Sequence, residues 1–379
     1  MIIGYDAKRA AHNNTGLGNY SRYIIKSVSQ LHPGHQLRLY TPKEAKISTY
    51  NDLLSAENVL SVLPDTRTAA TFGSLWRSYN IIGQLQRDNV AIYHGLSNEL
   101  PFGIDKSGIA SVVTIHDLIF RIYPQFYKLT DRNIYDIKFR YACQKSDRIV
   151  AVSECTKRDI VKHYNISPDK IDVIYQNCAD VYKNVITIEE KERVKKLYNL
   201  PSRFILNVGT IESRKNVLLA IRALPFVDTD THLVIVGRKT AYINDLYDFI
   251  HHNQLNNRVH FIHNVAINDL PAIYHLAQLF VYPSLYEGFG IPIVEALTTS
   301  TPVIAATGSC LEEAGGDASI YVAPNDVIGM AEAIKTVLNT PTLRKEMIGK
   351  GLEHIARFDK QNTVEQLIKT YNTALKCNK

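Results

Sequence analysis

The segment "SLYEGFGIPIVEA", residues 284–296, sets two glutamates, Glu287 and Glu295, eight positions apart around two glycines and a proline. Paired carboxylates can divide general acid and base work, line one face of a helix, or make two separate contacts to one ligand. Pro292 suits the first turn of a helix. On that reading Glu287 lies in a glycine loop with Gly288 and Gly290, and Glu295 in the first helical turn, where a carboxylate also serves the helix dipole. The two are then not neighbours on a helical face.

Other segments carry chemistry of different kinds. "GTIESRKN", residues 209–216, places Arg214 and Lys215 before an expected helix. Cations there oppose the helix dipole, which suggests that an anion shares the site: Arg offers a fork for phosphate and Lys a point charge. A solvated basic pair is the plainer alternative. His116-Asp117 follows an apolar run; His116 suits a hydrogen bond to a substrate hydroxyl, with Asp117 orienting it, or a plain loop contact to a carbonyl. Thr15-Gly16-Leu17-Gly18 reads as a glycine turn just before a helix, able to let a ligand approach closely or simply to turn the chain. Ser21 stands where a dinucleotide GxGxxG needs its last glycine, which argues against a nicotinamide enzyme. Thr307–Glu313 repeats the glycine-loop pattern and offers either backbone N–H groups for phosphate or a tight turn.

These groups need elements to hold them. Apolar runs predict strands at 1–5, 36–40, 91–94, 110–115, 148–152 and 170–174, and again at 204–208, 232–236, 259–261, 279–282, 303–306 and 320–322. Val, Ile and Leu fill them without alternation, as in parallel strands buried on both faces. Helical patterns at 18–31, 153–163, 188–198, 216–224, 241–253, 269–275 and 292–299 lie between them. The rhythm is βαβα twice over, so the fold class is α/β with two doubly wound domains. The 379 residues suit two domains. A last helix, 361–376, comes after the second sheet is complete. In open α/β sheets ligands bind beyond the carboxyl ends of strands, and each candidate group above follows a strand.

Composition sets the remaining bounds. Hydrophobic residues make up 45% and charged residues 21%, with net charge +6, an ordinary globular balance that suits an anionic ligand, an acidic surface or a plain basic exterior. Five widely spaced cysteines form no zinc or disulfide framework. The N-terminus lacks signal-peptide character, and no run of 18 apolar residues predicts a membrane span. The expected location is cytoplasmic. Residues 119–145 mix Tyr and Phe with Arg and Lys; that fits peripheral seating on the inner face of the plasma membrane, and equally a helix with buried aromatics and exposed cations. No basic run dense in stacked aromatics suggests nucleic acid.

Together, "SLYEGFGIPIVEAL", "VGTIESRKN", "VSECTKRDI" and "TGLGNY" resemble family 4 retaining glycosyltransferases of GT-B fold, essentially from end to end. "GTIESRKN" and "DAKRAAHNNTGLGNYSRY" are similar to a branch rich in bacterial mannosyltransferases of polysaccharide assembly. The resemblance implies two Rossmann-like domains facing a cleft: an acceptor-side domain at 1–178, a nucleotide-sugar domain at 179–358, and a helix, 359–379, packing back on the first. It implies that Arg214 and Lys215 hold the donor diphosphate, with Gly209 opening the phosphate loop. Glu295 would accept from the ribose and Glu287 would sit by the donor sugar. Backbone of Phe289, Gly290 and Ile291 would contact sugar or phosphate, with His116 near the sugar and Gly16 and Gly18 on the cleft floor. Many members carry Arg directly after the loop glycine; here Thr210 follows Gly209, and Arg214 is expected to replace it.

The resemblance also implies retention of anomeric configuration. Cationic side chains and the absence of a DxD motif after any strand predict metal independence, with no cofactor beyond the donor substrate. GDP-mannose is the expected donor, with UDP-glucose or UDP-N-acetylglucosamine as alternatives, and the acceptor is a growing polysaccharide or lipid-linked oligosaccharide. A non-catalytic nucleotide-sugar-binding relative is the competing reading.

Overall fold

Short runs of Val, Ile and Leu fold into two all-parallel sheets, as strands covered on both faces do. The computed structural model describes residues 1–65 and 73–378. The chain forms two compact units, Met1–Gln176 with Phe358–Lys379, and Asn177–Arg357; Lys379 itself lies outside the described residues.

In the first unit the strands are β1 (Ile2–Asp6), β2 (Gln36–Tyr40), β3 (Val59–Val62), β4 (Ile92–Gly95), β5 (Ala110–Ile115), β6 (Arg148–Ala151) and β7 (Ile171–Val173). Their order is β3-β2-β1-β4-β5-β6-β7, so the winding reverses between β1 and β4, where such sheets gather ligand groups. β3 is an addition to the strands read from sequence. It is a four-residue edge strand in which Val59 is buried and Leu60 is 56% exposed. That brief alternation lacks the continuous apolar run of a central strand.

Helix α1 (Gly16–Leu31) follows β1 and buries Tyr20, Ile24, Ile25 and Val28. It starts two residues earlier than the sequence suggested, so Gly16 and Gly18 belong to its first turn and not to a preceding loop. The two glycines differ in packing: a Cβ on Gly18 would lie 1.8 Å from the Asn13 carbonyl oxygen, whereas one on Gly16 meets nothing within 4 Å. Helices α2 (Leu129–Lys145) and α3 (Glu154–Tyr164) flank β6. Ser153 caps α3 by accepting from Thr156 N at 3.0 Å.

The second unit holds β8 (Phe204–Val208), β9 (His232–Val236), β10 (Val259–Ile262), β11 (Leu279–Tyr282), β12 (Val303–Ala306) and β13 (Ile320–Val322), ordered β10-β9-β8-β11-β12-β13. Its reversal falls between β8 and β11. Helix α4 (Val217–Ala223) follows β8, α5 (Leu270–Leu276) precedes β11 and α6 (Ile291–Thr298) follows it. Leu233, Ile235, Val281 and Ile304 of the sheet pack with Ala220, Ile334 and Val337 of the covering helices.

The last helix, α7 (Lys360–Cys377), belongs to the first unit. Val364, Leu367, Tyr371 and Ala374 recur at helical spacing, are at most 1% exposed and join that unit's core. They seat α7 on α1, β4, β5 and β6, which is why a helix is needed after the second sheet is complete.

Candidate active site

In the second unit, the loops after β8 and β11 leave adjacent strands at the reversal point and are tied together. Leu285 N donates to Arg214 O at 2.9 Å. Asn216, at φ +52°, donates through Nδ2 to the carbonyls of Pro283 (3.1 Å) and Pro324 (2.8 Å). These ties set Arg214 and Lys215, in a 3-10 turn, against Glu287. Lys215 Nζ lies 2.5 Å from Glu287 Oε1 and donates to Tyr282 Oη at 2.8 Å. Arg214 Nη1 lies 3.2 Å from the same carboxylate oxygen and 2.5 Å from the Tyr286 carbonyl, while Nη2 meets Glu212 at 2.8 Å.

Ser284 Oγ (2.6 Å) and Tyr282 Oη (3.1 Å) also donate to Glu287 Oε1. Three hydrogen-bond donors and the Arg214 guanidinium thus converge on one oxygen. Oε2 of Glu287 has no hydrogen-bond partner among the described residues and is not a buried unsatisfied atom. Burial alone would raise the Glu287 carboxyl, but Lys215 and Arg214 outweigh it and hold it down at about 2. Glu287 is therefore a fixed anion with one oxygen locked and the other available to a donor.

Glu295 has a different setting. It is the fifth residue of α6, one residue further in than the sequence suggested, because the helix begins at Ile291. Tyr274 Oη donates to its Oε2 at 2.9 Å, and the Tyr182 hydroxyl is its second partner. Burial pushes its carboxyl up to about 7 in spite of those two hydrogen bonds. No hydrogen bond among the described residues joins it to Glu287, and the two carboxylates have separate sets of partners.

The connecting backbone is shaped by contacts that spacing does not reveal. Cys310 Sγ donates to the carbonyls of Glu287 (3.0 Å) and Phe289 (3.1 Å). Gly290, at φ +112°, makes a turn that disfavours other residues, and Ile291 opens α6. Gly209 has φ +154°, and a Cβ there would lie 3.9 Å from the Lys215 side chain. In the Thr307–Glu313 loop, the Gly308 N–H donates to Glu312 Oε1 at 3.2 Å, so this N–H already has an internal acceptor.

His116, Gly16 and Gly18 lie in the first unit. His116 follows β5 and is buried. Its Nε2 is 2.9 Å from the Leu96 carbonyl, which can only accept, so Nε2 carries the proton. Nδ1 then accepts from the Gln176 amide at 3.4 Å. Burial holds the imidazole neutral, at about 4. The Tyr20 ring of α1 meets the His116 ring edge-on at 4.7 Å. Asp117 accepts from Ile119 N at 3.1 Å and caps the next turn.

Sequence reasoning missed Tyr182, Tyr274, Tyr282, Ser284 and Cys310. Tyr282 closes β11 and Ser284 stands three positions before Glu287, so both lay within reach of a closer reading of that segment. Tyr182 and Tyr274 gave no local signal.

Comparison with known proteins agrees with this architecture. The Glycosyltransferase Family 4 model matches residues 15–176 and the Glycosyl transferases group 1 model matches residues 188–354. The chain is 24% identical over 375 residues to O-antigen chain mannosyltransferase B of Escherichia coli, covering 94% of this chain and 96% of that protein. It is 31% identical over 254 residues to O-antigen chain mannosyltransferase RfbU of Salmonella typhimurium, covering 66% of each. A glycosyltransferase structure from Rickettsia africae superposes with TM-score 0.76 at 19% identity, over 99% of this chain and 98% of that one, a likeness of fold. With one model on each side of residue 180 and two Rossmann-like units of GT-B type, the chain belongs to the family 4 glycosyltransferases.

Proposed function

We propose that this chain is a retaining, metal-independent hexosyltransferase. It moves mannose from GDP-mannose to a hydroxyl of a growing polysaccharide or lipid-linked oligosaccharide. Two curated relatives bear the name O-antigen chain mannosyltransferase, which supports the sugar and the acceptor class. The second unit takes the nucleotide-sugar and the first unit the acceptor.

The observation that carries the reading is the Glu287 carboxylate, locked at Oε1 by Lys215, Arg214, Ser284 and Tyr282. Oε2 accepts from a hydroxyl of the donor sugar and fixes its orientation. A carboxylate engaged by two cations is a poor nucleophile, so Glu287 orients the sugar and supplies negative potential beside the anomeric carbon. In the reaction the anomeric C–O bond to phosphate breaks and its electron pair stays on the diphosphate. The acceptor oxygen bonds the anomeric carbon on the same face, and its proton passes to the departing phosphate oxygen. Lys215 and Arg214 stabilise the charge that develops there. Glu295 accepts from the ribose hydroxyls, and backbone of Phe289, Gly290 and Ile291 lines the sugar and phosphate. His116 contacts the sugar, and the Gly16–Gly18 turn approaches diphosphate and acceptor.

Membrane seating belongs to this reading. On α2, Ile134 and Ile137 are 52% and 62% exposed, and Leu129 at its start is 65% exposed. Lys128 and Arg132 lie beside them, a combination suited to anionic lipid from the cytoplasmic side. No helix among the described residues is long and apolar enough to cross a membrane.

A thermal-shift panel of nucleoside diphosphates is the direct test, with GDP expected to stabilise more than UDP. Glu287→Ala should abolish transfer and keep GDP binding; full transfer in that variant overturns the reading. Rates unchanged in EDTA and a product of unchanged anomeric configuration check the remaining terms. Flotation with anionic vesicles at low salt checks the membrane term, and absence of binding removes it.

A further inference from the structure

A buried line of hydroxyls and one imidazole runs through the first unit from α7 to the neighbourhood of His116. Tyr371 of α7 is 0% exposed, as are His94 at the end of β4 and Thr114 of β5. Tyr371 Oη donates to Tyr5 Oη at 3.1 Å. Its oxygen therefore accepts from His94 Nδ1, at 2.7 Å. Burial keeps His94 neutral, so the other nitrogen, Nε2, carries no proton and accepts from Thr114 Oγ1 at 2.9 Å. Having donated there, Thr114 accepts from Tyr20 Oη at 3.1 Å. One donor direction is consistent with every contact: Tyr20 to Thr114 to His94 to Tyr371 to Tyr5.

The Tyr20 end matters. Its ring is the edge-on neighbour of His116 at 4.7 Å, and Tyr20 lies on the same helix as Gly16 and Gly18. The hydroxyl of Tyr20 thus fixes the first turns of α1 against β5 while its ring fixes the His116 imidazole.

We infer that Tyr371 is a positioning residue, acting through His94, Thr114 and Tyr20 to set the His116 ring and the start of α1. The inference rests on His116 contacting the donor sugar, as proposed above. Removing the Tyr371 hydroxyl leaves the His94 Nδ1–H without its acceptor. The imidazole then gains by turning or changing tautomer, and Thr114 loses the acceptor that holds its hydroxyl proton toward His94 and leaves its oxygen to accept from Tyr20. The returning helix in this way does more than fill the core.

The test is steady-state transfer by the full chain with GDP-mannose, with melting temperature and GDP binding measured in parallel. Tyr371→Phe, Thr114→Val and Tyr20→Phe should each lower kcat by roughly 10-fold, as a misplaced contact does, with GDP affinity unchanged. The Tyr371→Phe/Tyr20→Phe double variant should be no worse than either single variant, since both break one line. Thr114→Ser keeps a hydroxyl and should keep most of the rate. Val28→Ala, a core truncation on α1 outside the line, should lower the melting temperature and leave kcat intact. Wild-type kcat in folded Tyr371→Phe or Thr114→Val, with His116→Ala impaired, overturns the relay alone. Wild-type kcat in His116→Ala overturns the placement of His116 and the relay with it. Additive losses in the double variant also overturn the relay.

Discussion

Lys215 Nζ and Glu287 Oε1 stand 2.5 Å apart, joining the loops that leave β8 and β11. The contact locks one carboxylate oxygen, and on the function proposed above it also holds a cation for the departing diphosphate. Lys215→Ala leaves Arg214 as the nearest compensating charge, at 3.2 Å. The expected loss in kcat is roughly 10²–10³-fold, the size seen when a preorganised electrostatic group is removed. Lys215→Arg should recover only part of it, because a planar fork does not replace a compact ammonium donating to both Tyr282 and Glu287. Initial rates at saturating donor decide this; a loss confined to KM would place Lys215 in ground-state binding alone.

The two glutamates should pull stability in opposite directions with pH. Glu287 is lowered to about 2 from the usual 4.5, so its stabilisation is present above 4.5 and is lost as pH falls toward 2. Glu295 is raised to about 7 from the same 4.5. The folded protein then holds a proton that the unfolded chain has released, so stability falls as pH rises from 4.5 to 7 and levels off above. Glu295→Gln should remove that fall. Across this window, without nucleotide, the melting temperature of wild type should fall relative to that of the variant. Added GDP should favour the ionised carboxylate and stabilise wild type more at pH 8 than at pH 6.

Much of this was legible in sequence, and the gaps have physical causes. Continuous apolar runs announced the central strands, because a strand buried on both faces needs no polar positions. β3 escaped because an edge strand of four residues with one exposed Leu carries no such run. Arg214, Lys215 and Glu287 were legible as charged groups following strands, and the reversal of strand order brings two such loops side by side. The environment of Glu295 was not, since it depends on Tyr274, 21 positions earlier, and on Tyr182. Burial by distant residues leaves no mark in local spacing.

Gly16 and Gly18 look alike in sequence and should behave differently. An alanine methyl at Gly18 would overlap the Asn13 carbonyl oxygen, at 1.8 Å, and that neighbour is backbone. Gly18→Ala should therefore cost about 1–3 kcal/mol, as overpacking does. At Gly16 the space is open and the residue is helical, so alanine should stabilise by about 0.4–1 kcal/mol through the unfolded state. Chemical denaturation measures both. A Gly16→Ala variant that is more stable yet loses transfer would mark this turn as a place where substrate approaches the backbone.

Cys310 holds the loop that carries Glu287. Its thiol is fully buried and lies within 3.1 Å of both the Glu287 and Phe289 carbonyls, so one weak donor spans the turn that ends at Gly290. Cys310→Ala removes that donor and a sulfur's worth of packing, at an expected cost of about 1 kcal/mol. The loop can then relax, which lets the Glu287 carboxylate drift from Lys215 and lowers kcat/KM more than the stability loss implies. Cys310→Ser retains a donor but shortens its reach, and should fall between the two. Measuring kcat/KM together with melting temperature across wild type, Ser and Ala separates the cases: a graded loss of rate follows from a loop held by this contact, whereas equal rates at unequal stabilities would leave Cys310 as core packing only.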